Sequence, residues 1–361
     1  MKILISLVFA LSLGTSVFAQ QIEKDWTVYI HMNGDNNLCS YTYKDLAEIE
    51  TLDVSANANI IVVFDCENSG DSKIIEIQGK KEIDVTKDIL GENAPSEFDM
   101  GDFNFLAQTA TLVFNKYPSK KRMIDMWNHG SGWDRTSLMA IRGVSYDDDS
   151  GHHITTVQMG QALKYIASYF HLDIIGYDAC LMQMIEVAYE GAEYADYSLG
   201  SEETEPGEGW DYTGLVGALA VPGATPEQVG ISSADSYINF YKMGVQQSLI
   251  KNANLFPLVV SLKDLADKMK GYPGISKVIS ATPGYAVSSY KDLGTFLALL
   301  PDALKIGTLD LYNATVIHNS TTMKATGISV YLTKYPSSAY TELRFAKDTG
   351  WYDFLKNIKE N

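Results

Sequence analysis

Residues 122–130 read Arg122-Met-Ile-Asp-Met-Trp-Asn-His129-Gly130, and residues 172–180 read Leu172-Asp-Ile-Ile-Gly-Tyr-Asp178-Ala-Cys180. Each is a short, nearly continuous apolar run closed by a polar residue. Such runs mark strands buried on both faces of an α/β sheet. Residues just past the carboxyl ends of such strands face the crevice in which open α/β sheets hold ligands. The two runs therefore deliver an imidazole, His129, and a thiol, Cys180, to one edge of the sheet. That pair is the minimum apparatus of a thiol-dependent peptidase. Singly, each has a plainer reading: Cys180 as a small buried hydrophobe, His129-Gly130 as a turn. Their joint placement after matching strands favours chemistry over packing.

Working outward, Trp26–Met32 and Asn59–Asp65 read as further buried strands, Lys73–Gln78 as an edge strand and Tyr194–Ser201 as a strand. Phe256–Leu262 and Thr326–Leu332 read as later strands. Helical spacing covers Tyr43–Leu52, Phe103–Tyr117, Thr155–Phe170 and Pro226–Gln246. Leu181, Met184, Ile185 and Ala188 also recur at helical spacing, which predicts Cys180 at a strand-to-helix junction, where a thiol pKa falls. Strands alternating with helices mean an α/β fold, a mostly parallel sheet covered on both faces. A soft boundary near Lys251–Asn254 predicts a catalytic domain over 20–253 and a smaller C-terminal subdomain over 254–361 that packs on or completes the sheet.

Residues 1–19 have the form of a secretory signal: Lys2, an apolar stretch from Ile3 to Leu13, and Val17-Phe18-Ala19 before the cut. The expectation is an exported protein, periplasmic, surface-bound or secreted, with no membrane span. The formal charge of −17 disfavours nucleic acid as a partner. Cys39, Cys66 and Cys180 are the only cysteines. An odd count leaves at least one thiol free. A Cys39–Cys66 pairing would leave Cys180 reactive.

At this point the residues resemble the clostripain family of cysteine peptidases, relatives of caspases and gingipains. The matching pieces are Trp26-Thr-Val-Tyr-Ile-His-Met-Asn-Gly-Asp-Asn-Asn-Leu38, Asn128-His129-Gly130, Asp178-Ala-Cys-Leu-Met182 and Gly200-Ser-Glu-Glu-Thr-Glu-Pro-Gly207. The resemblance implies a caspase-like sheet, Cys180 as nucleophile, His129 as general base and acid, and an oxyanion hole from the backbone N–H groups of Gly130 and Cys180. It implies peptide or protein substrates with Arg or Lys before the scissile bond. Asn128 departs from the family, where an acid often precedes the histidine.

Asp178 lies two residues before Cys180, so both side chains share one face of the strand. On residues alone it reads equally as a turn-capping acid or as a partner for a substrate cation. The resemblance makes it the floor of the specificity pocket, with Glu208 as the second acid where relatives often carry Asp. The Gly-, Ser- and Asp-rich loop between the catalytic residues holds Arg135 and Arg142. A protease of that specificity would be made as a zymogen and cut itself between Arg142 and Gly143. No cofactor is required by this chemistry. Asp147-Asp148-Asp149 with Gly151 leaves calcium open, against the plainer reading of a solvated acidic loop. Adjacent His152 and His153 diverge too much for a metal pair. The rivals are a metallohydrolase built on residues 147–153, and a non-catalytic surface binding module on a peptidase-like fold.

Overall fold

The structure, a computed structural model, describes residues 23–68, 70–133, 143–305 and 307–358. The expected leader, Arg135 and Arg142 lie outside the described residues. Strands β1 (Lys24–Asn33), β2 (Ala58–Asp65), β3 (Lys73–Gln78), β4 (Lys81–Asp84), β5 (Ser119–Trp127), β6 (Leu172–Asp178), β7 (Ala195–Gly200) and β8 (Gln246–Lys251) follow in chain order. Then come β9 (Tyr290–Asp292), β10 (Val316–Thr321) and β11 (Ser329–Tyr331). Nine of them form one sheet in the order β10-β8-β7-β6-β5-β1-β2-β3-β4. The five in the middle, β7 to β2, are parallel; the flanking pairs are antiparallel. β9 and β11 pair separately.

The apolar runs explain this centre. Every residue of β2 and β6 is buried. Alternate residues serve opposite faces, as the two-residue period requires. Tyr29, Ile124 and Ile175 join one hydrophobic cluster, with helices Phe103–Lys116, Thr156–Ala167 and Leu255–Met269. Val28, Met123 and Ile174 join another, with helices Cys39–Ile49, Tyr212–Leu219 and Pro226–Tyr241. Thr155 closes a capping box with Gln158, and Thr225 with Gln228, which fixes where two of these helices start. The fold is thus the mixed, mostly parallel α/β sheet expected.

Four details differ. Phe256–Leu262 is not a strand but part of helix Leu255–Met269. Its buried residues fall at 255, 258, 259, 262, 265, 266 and 269, a helical period that a seven-residue window conceals. The helix after Thr225 ends at Tyr241, where Lys242 turns left-handed at φ 61°, and Gln246 instead opens β8. β4, β9 and β10 were not expected: β4 is exposed along its length, β9 has only three residues and β10 is half-buried throughout, so none carries a buried apolar run. The helix after Cys180 begins only at Ile185; the chain turns at Leu181, φ 65°, and Met184 bridges to Ser329 before the helix starts. Residues beyond 254 supply β10 to the main sheet and much of one core cluster. A Cys39–Cys66 disulfide, with Cα atoms 5.2 Å apart, ties the start of helix Cys39–Ile49 to the end of β2.

Candidate active site

The register of β5 and β6 pairs Trp127 with Asp178. Two further steps along both chains bring His129 abreast of Cys180. The two stretches touch: a Cβ added to Gly130 would lie 2.4 Å from the Cys180 carbonyl oxygen. Only glycine allows this approach. His129, Cys180 and Asp178 all line one cleft of about 350 Å³, with Asn37, Tyr41, Trp127 and Glu205. Cys180 is the free cysteine and is half-buried.

The imidazole has a partner the sequence reading did not assign. His129 Nε2 lies 2.7 Å from Asn37 Oδ1. With that oxygen as acceptor, Nε2 carries the proton and Nδ1 is left to take one. Asn37 sits in the Asn33–Leu38 turn just past the carboxyl end of β1. It lies inside one of the quoted sequence matches, but an asparagine in an Asn-rich turn gives no signal of contact with residue 129. Burial holds the His129 pKa below its ordinary value.

The thiol is held by the loop after β7. Glu205 N–H donates to Cys180 Sγ at 3.2 Å, and Sγ lies 3.7 Å from the Glu205 carbonyl oxygen. Burial raises the Cys180 pKa, and the charge on Asp178 raises it further, against the Glu205 N–H contact. The expected helix N-terminus, which would have lowered it, is absent at this position because the helix starts five residues on. His129 and Cys180 share no direct hydrogen bond; each is engaged elsewhere.

Asn128 does not tune the imidazole. Its amide bridges Asn33 O, Tyr146 O and Tyr146 N–H, clamping the end of β1 to the loop between the catalytic residues. Gly130 N and Cys180 N take no part in backbone pairing among the described residues.

Asp178 lies at the floor of the cleft. Both its oxygens accept from Trp210 N–H at 3.1 Å, and Oδ2 also accepts from Tyr212 Oη at 3.0 Å. Gly209, at φ 60°, packs so closely that a Cβ would meet Asp178 Oδ2 at 2.7 Å. The carboxyl pKa is pushed up to about 6 by burial, against those hydrogen bonds.

Glu208 is not the second acid of this pocket. It is exposed and pairs with Lys44 at 2.8 Å on the outer surface, 46% and 55% exposed respectively. Glu205, not Glu208, lines the cleft with Asp178. Both its carboxylate oxygens are sealed from solvent without a hydrogen-bond partner of good geometry. Burial, and then the charge of Asp178, hold its pKa well above the ordinary range. Charge on either carboxyl thus disfavours charge on the other. Behind them Asp45, at about 9, and Asp125, at about 8, are also raised by burial and by Asp178. The sequence reading passed over Glu205 because Glu202, Glu203, Glu205 and Glu208 crowd one loop, and spacing alone does not say which one turns inward.

Gly143 is fixed on the protein side of the expected cut. Its N–H donates to Gly132 O and to Ser131 Oγ, both at 3.1 Å, and its φ is 97°. His152 pairs with Asp99 at 2.6 Å, while His153 stacks on Tyr146, so the two rings diverge.

The sequence matches the model of the clostripain family, peptidase group C11, over residues 28–352. Clostripain of Hathewaya histolytica is 24% identical over 240 residues, which cover 59% of this chain and 46% of that protein. The chain thus spans under half the length of this curated relative. A secreted C11 cysteine protease from Bacteroides thetaiotaomicron, solved with an irreversible peptide inhibitor, superposes with a TM-score of 0.73 at 22% identity, covering 92% of this chain and 99% of that one. An inactive zymogen C11 protease from Parabacteroides distasonis superposes at 0.72 with 21% identity, covering 91% and 99%.

Proposed function

Because the chain belongs to the clostripain family of C11 cysteine proteases, we propose that it is an exported endopeptidase cutting after Arg or Lys. The observation that carries the proposal is the cleft holding the thiol, the imidazole and an acid pair together. His129 Nδ1 takes the Cys180 proton as sulfur attacks the carbonyl carbon of the scissile bond. The oxyanion forms near the N–H groups of Gly130 and Cys180. His129 returns the proton to the leaving amine, giving an acyl-enzyme that water then releases. Asn37 holds the imidazole in the tautomer this requires. The substrate cation enters between Asp178 and Glu205 and offsets the repulsion between their charges.

The specificity proposal rests on Asp178 and Glu205 rather than on Asp178 and Glu208. The thiol's engagement with Glu205 N–H, and the His129 contact to Asn37, fit a chain still awaiting activation. Cleavage between Arg142 and Gly143 would place a new ammonium where Gly143 N–H already meets Gly132 O and Ser131 Oγ. Export rests on the leader pattern, and no helix among the described residues is long and apolar enough to cross a membrane.

The test is purification of wild type beside Cys180→Ala, with denaturing gels, N-terminal sequencing and peptides carrying Arg, Lys, Leu or Asp before the bond. Wild type should turn over the basic peptides and yield a fragment starting Gly143-Val144-Ser145. Cys180→Ala should stay whole and inactive. Turnover by Cys180→Ala, or equal rates on Arg and Leu peptides, would overturn the mechanism or the pocket respectively. A fully active single chain would remove the zymogen step alone.

A further inference from the structure

The loop that seats the thiol has a second anchorage. Just after β7 it runs beside the stretch that follows Cys180: Gln183 N–H donates to Ser201 O at 2.9 Å and Leu181 N–H to Glu203 O at 3.1 Å. Glu202, between those two carbonyls, sends its side chain to residues beyond 254. It is fully buried; its Oε1 accepts from Gly327 N–H at 2.5 Å, and its own N–H donates to Gln246 Oε1. Asp292, also fully buried, caps the start of helix Leu293–Leu299 and lies within hydrogen-bond reach of Glu202. Thr326 and Gly327 are consecutive, and each gives its N–H to one of the two acids: Thr326 N–H donates to Asp292 Oδ2 at 2.7 Å.

Asp292 takes three more donors, Thr295 N–H and Thr326 Oγ1 on Oδ1 and Tyr285 Oη on Oδ2. Glu202 Oε2 differs: it is sealed from solvent and no donor reaches it. A carboxylate oxygen there is a buried charge without a donor, whereas a carboxylic acid has an O–H to give to Asp292. Burial, and then the charge of Asp292, hold the Glu202 pKa well above the ordinary range. The other titratable groups facing the pair are Tyr285 and Tyr312, both held above the usual tyrosine value by burial and then by charge on Glu202. Among the described residues no Lys, Arg or His forms an ion pair with either acid. Lys291, next to Asp292 in the chain, gives its Nζ to Thr282 O, and Glu203, next to Glu202, accepts from Ala286 N–H.

We propose that Glu202, as a carboxylic acid, and Asp292, as its acceptor, form a proton-held latch that fixes the 202–205 loop against the residues beyond 254 and so positions Glu205 at the cleft. Glu205 follows three residues later and supplies both the N–H on Cys180 Sγ and an acid of the cleft. Glu202 touches neither thiol nor imidazole; it acts through the loop, as a positioning residue. Loss of its proton leaves two buried carboxylates side by side with no cation to separate them, and like charges there repel. The loop then shifts and frees the thiol. The sign follows from linkage: the folded pKa of Glu202 lies above its unfolded value, so the latch is closed at low pH and opens as pH rises through the folded value. Residues beyond 254, which bring no reacting group, thereby hold part of the site in place.

The effect on turnover rests on the peptidase reading; the latch does not, so the test has separate arms. In the first, kcat for a Lys peptide is followed across alkaline pH in wild type, Glu202→Gln and Glu202→Ala. Gln keeps an acceptor for Gly327 N–H and offers Asp292 an N–H donor at every pH. It should rescue turnover at neutral pH and move the reversible alkaline fall in kcat up by about one pH unit or more, while Ala lowers kcat roughly tenfold throughout. In the second arm, melts of full-length Cys180→Ala with and without Glu202→Gln should show a Tm gap that widens in favour of Gln by roughly 2 °C per pH unit above the unfolded Glu value. The third needs no latch variant: in Cys180→Ala, exchange of the 201–205 amides, corrected for intrinsic rate, should lose protection with rising pH before the β6 amides do. An inactive wild type that gives the second and third results would remove the peptidase reading and uphold the latch. The same alkaline fall in wild type and Glu202→Gln, a Tm gap flat with pH, or 201–205 protection that fails only together with β6 would each overturn it.

Discussion

Replacing Glu205 by Gln removes a carboxylate without removing the loop's grip on the thiol, since that contact is made by the backbone N–H. Asp178 already accepts from Trp210 and Tyr212, whereas the Glu205 oxygens have no such partner. Glu205 therefore has the open acceptor capacity for a substrate ammonium or guanidinium. A hydrogen bond to a charged group contributes about 1.5–3 kcal/mol, or roughly 10- to 150-fold in rate constant. The expected result is a fall of that size in kcat/KM for peptides with Lys or Arg before the bond. Matched Leu peptides should stay within about twofold. Glu208→Gln should change neither, because an exposed ion pair such as Lys44–Glu208 is worth about 0–1 kcal/mol. Asp178→Asn should damage every substrate, because it also disturbs the Trp210–Tyr212 loop. In wild type the Lys-to-Leu preference should rise with pH as the acid pair deprotonates, and Glu205→Gln should flatten that rise. The assay is steady-state cleavage of matched fluorogenic peptides from pH 5 to 8. A Glu205→Gln enzyme with the wild-type Lys-to-Leu ratio would refute the reasoning, as would Glu208→Gln losing that ratio instead.

Asn37→Ala should lower kcat by roughly 10- to 100-fold through loss of a hydrogen bond to the reacting imidazole, with KM little changed, as stopped-flow acylation would show. Reducing the Cys39–Cys66 bond, or replacing both cysteines by Ala, opens a cross-link of sequence separation 27 and should cost about 3–4 kcal/mol, read from denaturant melts. Stability should fall as pH rises from about 6.5 to 8.5. Asp45, Asp125 and Asp65 have folded-state values of about 9, 8 and 8, far above their unfolded values, so the folded state binds more protons throughout that window and loses them as pH rises. His31, held down at about 4, is neutral in the folded state but about half protonated when unfolded near pH 6.5, so it opposes the trend weakly there and no longer above about pH 7.5. Thermal melts of Cys180→Ala in chelator check it, and a Tm that climbs from pH 6.5 to 8.5 would contradict it.

The sheet was legible because its central strands are buried on both faces, which forces the apolar runs of β1, β2, β5 and β6 into the sequence. The meeting of His129 and Cys180 in one cleft was legible for the same reason: the chain announces where each strand stops. Strands such as β4 and β10 are exposed or half-buried, so nothing forces that signal. The helix at Leu255–Met269 was misread because Phe256-Pro-Leu-Val-Val is locally indistinguishable from a strand. Glu205 and Asn37 were hidden for a different reason. Their placement depends on which way a loop side chain turns, and that is decided by partners far away in sequence, His129 for Asn37 and the Asp178–Cys180 stretch for Glu205.

The strand order divides the sheet without remainder. Everything on one side of the β5–β6 boundary, β5-β1-β2-β3-β4, comes from before His129, and everything on the other, β6-β7-β8-β10, from after it. The backbone passes that line once. The molecule is thus two half-sheets docked along a seam, and each half contributes one reacting group at the seam's end. Catalysis then reports on docking rather than on the integrity of either half. A perturbation that loosens the seam by a fraction of an ångström separates imidazole from thiol before it opens the two hydrophobic clusters, both of which cross the seam, so inactivation should run ahead of unfolding on any gentle denaturing path.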